Sequence, residues 1–129
     1  MKLPLDTHTF MWWDSDLDKL PARVQALCFQ PENQLVLSLV SVWEMQIKIQ
    51  IGKLDLGKPL AEAIAHQCQT NQIELLPVYY DHVLALDHLP LHHKDPFDRL
   101  LLAQARVEGM VILSKDPQFR AYAVPVEWE

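Results

Sequence analysis

The chain has 129 residues, half of them apolar or aromatic and 22% charged, which suits a single folded domain spanning 1–129 and excludes a disordered or fibrous chain. No apolar run approaches the ~20 residues needed to span a bilayer, and Met1-Lys2-Leu3-Pro4-Leu5-Asp6 lacks the long apolar core of a signal peptide, so a cytoplasmic protein with no membrane partner is expected. A formal net charge of −6 excludes broad phosphate neutralisation as a way of holding nucleic acid, so any such activity must be local.

In chain order, short apolar runs alternate with amphipathic stretches. Residues 2–5 read as a strand, and 21–29 as a helix with Pro21 in its first turn. After a loop at 30–34, a strand is predicted over 35–40 and a helix over 42–51, ended by Gly52. Beyond a second loop at 52–59, Leu60, Ile64, Ala65 and Cys68 recur at helical spacing over 60–69, closing near Asn71. A strand follows at 73–76. Asp81 is then placed to cap a short helix running to Leu89 and stopped by Pro90. A longer helix is predicted from Pro96 to Glu108, with Gly109 ending it, then strands at 110–114 and 124–128. This alternation predicts βαβ units and an α/β fold with a mostly parallel sheet covered on both faces. Cys28 and Cys68 lack C-x-x-C spacing and read as buried reduced thiols.

Ligands of a parallel α/β sheet bind beyond the carboxyl ends of its strands. Asp6 ends the first predicted strand, Glu44 lies in the first turn after the second, and Asp116 follows the 110–114 strand by two residues. Asp98 arrives from the amino end of the helix that leads into that strand, and so reaches the same edge. Each acid also has a local reading. Ser41-Val42-Trp43-Glu44 matches a capping box, Asp95-Pro96-Phe97-Asp98 a cap with proline at the first helical position, and Asp116 a turn before Pro117. Asp6 has no helix or turn that obviously requires it. Convergence on one edge is what independent capping does not explain, although it leaves Asp95 and Asp98 unseparated.

Two unit charges ~5 Å apart at an effective dielectric near 20 repel by roughly 3 kcal/mol, so clustered carboxylates call for protonation or a cation. Oxygen-only ligands select Mg²⁺ or Mn²⁺ over zinc. His88, His92 and His93 flank Pro90 without metal-ligand spacing.

The sequence resembles the PIN-domain family, and within it the VapC-like toxins of toxin–antitoxin pairs. The resemblance begins at Leu5-Asp6-Thr7-His8-Thr9-Phe10-Met11-Trp12-Trp13 and continues through Ser38-Leu39-Val40-Ser41-Val42-Trp43-Glu44-Met45, Lys48 and Gly52-Lys53-Leu54. It is strongest at Leu89-Pro90 and His93-Lys94-Asp95-Pro96-Phe97-Asp98-Arg99-Leu100-Leu101-Leu102-Ala103-Gln104-Ala105, and ends with Leu113-Ser114-Lys115-Asp116 and Tyr122. It implies a three-layer α/β/α sandwich and an Mg²⁺- or Mn²⁺-dependent endoribonuclease whose acidic quartet is Asp6, Glu44, Asp98 and Asp116. Asp95 becomes a supporting residue, and Ser114 matches the family's small hydroxyl before the last acid. On that reading Asp6 and Asp116 bind metal directly, Glu44 and Asp98 directly or through water, and Ser114 and Thr7 orient a ligand. Lys48, Lys53, Arg99 and Lys115 are candidate phosphate contacts, with the loops at 52–59 and 89–94 setting RNA choice.

The resemblance also implies an RNA substrate, a homodimer, and a cognate antitoxin that blocks the acidic pocket and supplies any DNA binding. Of Phe10, Met11, Trp12, Trp13 and Trp43, those not used in the core would form a partner face. Two other classes are weaker. Asp6-Thr7-His8-Thr9 approaches the D-x-D-x-T signature of aspartyl-nucleophile phosphatases, but His8 replaces the second acid. A receiver-like binding module needs an aspartate after the third strand, where Pro77-Val78-Tyr79 stands.

Overall fold

The computed structural model describes residues 1–91 and 94–129; His92 and His93, weighed above as metal ligands, lie outside the described residues. Among these residues five short strands run parallel: β1 (Lys2–Pro4), β2 (Gln34–Ser38), β3 (Glu74–Leu76), β4 (Ile112–Leu113) and β5 (Val126–Glu127). β1 pairs with β2 and β2 with β3, in registers Leu3↔Leu35 and Leu37↔Leu75. β4 pairs with β5, and a parallel bridge Leu5↔Leu113 joins the two ladders. The resulting order is β3-β2-β1-β4-β5. The chain builds outward from β1 on one side, then returns to its other side.

Among the described residues six α-helices flank the strands: α1 (Thr7–Ser15), α2 (Ala22–Phe29), α3 (Leu39–Gln50), α4 (Leu60–Thr70), α5 (Tyr80–Leu84) and α6 (Pro96–Glu108). Successive strand residues point to opposite faces, and both faces are apolar. Leu3, Leu5, Leu35, Leu37 and Leu113 pack with Phe10, Trp13, Val24 and Met45. Val36 and Ile112 join the opposite core, with Leu101, Leu102, Ala105 and Phe119. This is the α/β/α sandwich expected. Cys28 lies in the first core, where burial pushes its thiol up to about 12.

Several predicted boundaries move, each for a local reason. The run 35–40 is apolar but for Ser38, so hydrophobicity alone hides the point where strand gives way to helix. Ser38 marks it, its Oγ accepting from the Val40 N–H at 3.0 Å as the cap of α3. Ser41-x-x-Glu44 is therefore not a capping box: Ser41 is buried inside the helix, and Glu44 falls in its second turn rather than its first. α1 was not among the predicted helices, and Asp6 is its cap, with Oδ1 accepting from the Thr9 N–H at 2.9 Å. Asp81 lies within α5 rather than capping it, and the chain continues as a 3₁₀ turn over Ala85–His88. β4 and β5 are shorter than 110–114 and 124–128.

α6 follows its signals closely. Asp95 caps it, Pro96 occupies the first turn, and Gly109 closes it at φ 65°, a left-handed geometry that favours glycine. Residues 101–105 are all buried, because α6 lies against the sheet and also meets α3 and α5. Gln104 is the polar member of that stretch. Its Oε1 accepts from Ser38 Oγ at 2.5 Å and its Nε2 donates to the Pro77 carbonyl at 3.1 Å, while His82 Nδ1 accepts from the Tyr79 N–H at 3.0 Å alongside. These bonds pin the carboxyl ends of β2 and β3 to α6. Replacing Gln104 by Leu keeps the volume but strands the buried Ser38 hydroxyl and frees the part-buried Pro77 carbonyl, and it should lower stability by about 1–2 kcal/mol. Urea unfolding should show this as a lower midpoint at unchanged slope.

Candidate active site

In an open parallel sheet the crevice forms where the strand order reverses, here between the carboxyl ends of β1 and β4. A cleft of about 590 Å³ opens there, and Asp6, Glu44, Asp95, Asp98 and Asp116 all line it. They come from the end of β1, α3, the start of α6 and the turn after β4. The convergence expected from topology is present.

Asp6 is 8% exposed. Its Oδ2 accepts from Ser114 Oγ at 2.5 Å, and Ser114 Oγ in turn accepts from the Asp116 N–H at 3.1 Å. One serine hydroxyl thus links the two acids across the bridge between β1 and β4. Thr9 Oγ1 donates to the Leu113 carbonyl at 3.0 Å, tying α1 to the same junction. Burial raises the Asp6 carboxyl above its ordinary pKa; bonds from Ser114 and Thr9 and the charge of His8 offset only part of that desolvation.

Glu44 is held differently. Its Oε1 accepts from Thr7 Oγ1 at 2.7 Å and its Oε2 pairs with Lys48 Nζ at 3.0 Å. Thr7, predicted as a supporting hydroxyl, thus fixes Glu44, while Lys48 enters the cleft bound to an acid. Asp95 Oδ1 accepts from the N–H groups of Phe97 and Asp98 at 2.9 and 3.2 Å, so Asp95 shapes the first turn of α6 that carries Asp98. Asp116 caps a 3₁₀ turn over Pro117–Ala121, its Oδ1 accepting from the Gln118 N–H at 2.9 Å. Capping and convergence are therefore not rivals: Asp6, Asp95 and Asp116 do both.

Among the candidate phosphate contacts, Lys48 and Lys115 line the cleft and Lys53 does not. The Arg99 guanidinium is turned to the chain, donating to the carbonyls of Pro90 at 2.9 Å and Leu89 at 3.3 Å. Arg99 is thus a clamp on the segment before α6. The 52–59 loop supplies no lining residue; Lys58 pairs with Asp14 on α1 at 3.4 Å instead. His8, Trp12, Pro117 and Phe119 line the cleft without having been predicted as site residues. The missing signal was the helix itself, since residues 8 and 12 share a face only once 7–15 is read as α1.

An all-oxygen donor set, with one acid desolvated, has the chemistry of a site for a hard divalent cation. Among the described residues, however, no three His, Cys, Asp or Glu side chains meet closely enough to hold one ion. The carboxylates ring the cleft rather than close on a point, so water would complete any coordination. Among the described residues no helix is long and apolar enough to cross a membrane.

A parallel α/β sheet with a carboxylate-lined cleft at its switch point defines the class. The chain belongs to the PIN-domain family, whose model matches residues 4–125. Among curated proteins none matches the sequence significantly. Solved structures with a similar fold include VapBC2 from Rickettsia felis bound to a DNA fragment from its promoter, at TM-score 0.74 and 13% identity, with both chains covered in full. DNA-bound VapBC from Salmonella typhimurium aligns at TM-score 0.69 and 14% identity over 98% of this chain and 97% of the other. VapBC-5 from Mycobacterium tuberculosis, of the VapBC family of toxin–antitoxin systems, aligns at 0.62 and 21% over 98% and 95%.

The raised Asp6 pKa has a sign. The folded state binds this proton more tightly than the unfolded one, so the contribution is fully present below the ordinary carboxylate pKa and is lost as pH rises through the higher folded value. Asp6→Asn, which removes the desolvated charge and keeps an acceptor for the Thr9 N–H, should therefore stabilise the metal-free protein at pH 8. Thermal melts from pH 8 to pH 4 should show that advantage shrinking as the wild-type carboxyl protonates.

Proposed function

We propose that this chain is a metal-dependent endoribonuclease that hydrolyses RNA phosphodiester bonds and serves as the toxin of a toxin–antitoxin pair. The observation that carries the reading is the meeting of Asp6, Glu44, Asp98 and Asp116, from four separate segments, around one cleft at the sheet's switch point. Membership of the PIN-domain family supports it, as does a fold shared with VapBC proteins.

In this reading Asp6 and Asp116 would hold Mg²⁺ or Mn²⁺ directly, and Glu44 and Asp98 directly or through water. Such an ion, when bound, would supply an activated water and positive charge to offset the negative charge of the phosphodiester transition state. The chain's own residues do the positioning. Ser114 sets the spacing of Asp6 and Asp116, Thr7 orients Glu44, and the Asp95 cap aims the turn bearing Asp98. Lys48 and Lys115 supply positive charge for the RNA backbone.

A receiver-like module is disfavoured because β3 ends at Leu76 and Pro77 follows, its carbonyl bound to Gln104. An aspartyl-nucleophile phosphatase is disfavoured because His8 stands where a second acid is required. The partners that go with the toxin reading are a second copy and a cognate antitoxin, through which any DNA contact would come. Phe10 and Trp13 are consumed by the core, but Trp43 and, on α5, Tyr80, Val83 and Leu84 stay exposed and available to such partners.

Purified protein incubated with total bacterial RNA should yield discrete fragments with Mg²⁺ or Mn²⁺ and none with excess EDTA. Asp6→Asn, Asp98→Asn and Asp116→Asn should each lower the rate by about 10²-fold or more. Absence of cleavage in every metal would overturn the nuclease reading. In a separate readout, Mn²⁺ should raise the melting temperature of the wild type but not that of Asp6→Asn, since only a protein that binds the ion gains from it.

A further inference from the structure

Trp12 lies one turn beyond His8 on α1, partly buried, and forms part of the cleft wall. Its indole leans on Trp128 at 5.9 Å between ring centroids and on His8 at 6.0 Å. Two ammonium groups sit over that ring, Lys19 Nζ at 5.9 Å and Lys115 Nζ at 6.0 Å. Lys19 also pairs with Asp16, but at 3.6 Å between half-exposed side chains that bond is weak and leaves the lysine able to move.

In a chain of net charge −6 this is a local concentration of positive charge and aromatic surface beside the carboxylate cleft. The other aromatics nearby do not offer it. Phe119 lines the cleft but is fully buried, and Trp43, though exposed, packs edge-on against Phe97 away from the lining. An indole face with lysines beside it is the composition that holds single-stranded nucleic acid: the base stacks, and the cations take the backbone.

We propose that Trp12, Lys19 and Lys115 form a subsite for the nucleotide flanking the scissile phosphate of single-stranded RNA. The base displaces a lysine from the indole face, and the freed ammonium pairs with the adjacent phosphate. A base inside a duplex is already stacked and cannot make this contact, so the subsite selects unpaired RNA. The inference rests on the ribonuclease reading for its substrate, but binding tests it separately from cleavage.

The probe is a fluorescein-labelled, random-sequence 12-nucleotide RNA strand, titrated in Ca²⁺ by anisotropy and checked intact afterwards. Trp12→Ala should weaken binding roughly tenfold, while Trp12→Phe recovers most of it. The double variant Lys19→Ala/Lys115→Ala should flatten the dependence of log Kd on log salt by about one unit. A 12-base-pair duplex should show no dependence on Trp12. A Trp12→Ala affinity within twofold of wild type, or an equal loss on duplex, would overturn the subsite. Were that variant unfolded, an unchanged salt slope in the double-lysine variant would overturn it instead. Trp12-dependent self-association by light scattering, with RNA binding unaltered, would reassign the residue to a protein interface. Trp12-dependent binding without cleavage in any metal would sink the nuclease reading and keep the subsite; cleavage with an unchanged KM in Trp12→Ala would do the reverse.

Discussion

A carboxylate buried at the carboxyl edge of the central strand is costly in water-poor surroundings, and Asp6 is held there by a set of bonds that also assembles the edge. The Thr9 N–H gives α1 its cap, the Ser114 hydroxyl reaches from β4, and the Thr9 hydroxyl returns to the Leu113 carbonyl. The bridge Leu5↔Leu113, with backbone bonds from the Asp6 N–H to the Leu113 carbonyl and from the Val111 N–H to the Lys2 carbonyl, joins the two ladders. The polar contacts around Asp6 lie beside that bridge and reinforce it. The same interactions that fix the acid therefore fix the junction at which the cleft opens.

The remainder of the frame keeps that junction stiff with few strand residues. β4 and β5 are two residues each, too short to be stable alone, and survive because Ile112 and Leu113 feed opposite cores. On the far side of β1, Gln104 ties β2 to the segment after β3 through Ser38 and Pro77. α6 thus serves two ends: its buried middle braces the sheet, and its amino-terminal turn presents Asp98. Arg99 holds the carbonyls of Leu89 and Pro90 just before that turn, which limits how far the approach to α6 can drift.

The parts of this arrangement that sequence revealed are those where backbone chemistry is written in single residues. Asp95-Pro96 and Gly109 announce both ends of α6, and its direction then puts Asp98 at the right edge. Where apolar residues run on without a break, the pattern is silent. Through 35–42 the polar residues are two serines, and only the three-dimensional cap shows that Ser38 and not Ser41 starts α3. α1 was hidden for a related reason: Phe10, Met11, Trp12 and Trp13 follow one another, so no polar stripe marks a helical face. Missing α1 concealed the cap role of Asp6 and the cleft positions of His8 and Trp12. Long-range pairings such as Thr7 with Glu44, 37 residues apart, carry no local signature at all.

The two best-anchored acids differ in what they still require. Glu44 has a lysine of its own helix on one oxygen and a hydroxyl on the other, so its charge is met internally. Asp6 has hydroxyl and N–H donors, with only a minor contribution from the charge of His8, and its desolvation is not fully offset. An entering cation must compete with Lys48 for Glu44, whereas at Asp6 it supplies a charge that the fold has left out. Ser114 couples Asp6 to the backbone of Asp116, so the second acid is carried to the same place. Demand for external positive charge is thus greater at Asp6 than at Glu44, so the proposed metal would sit nearer the ends of β1 and β4, with Glu44 reaching it from α3 directly or through water.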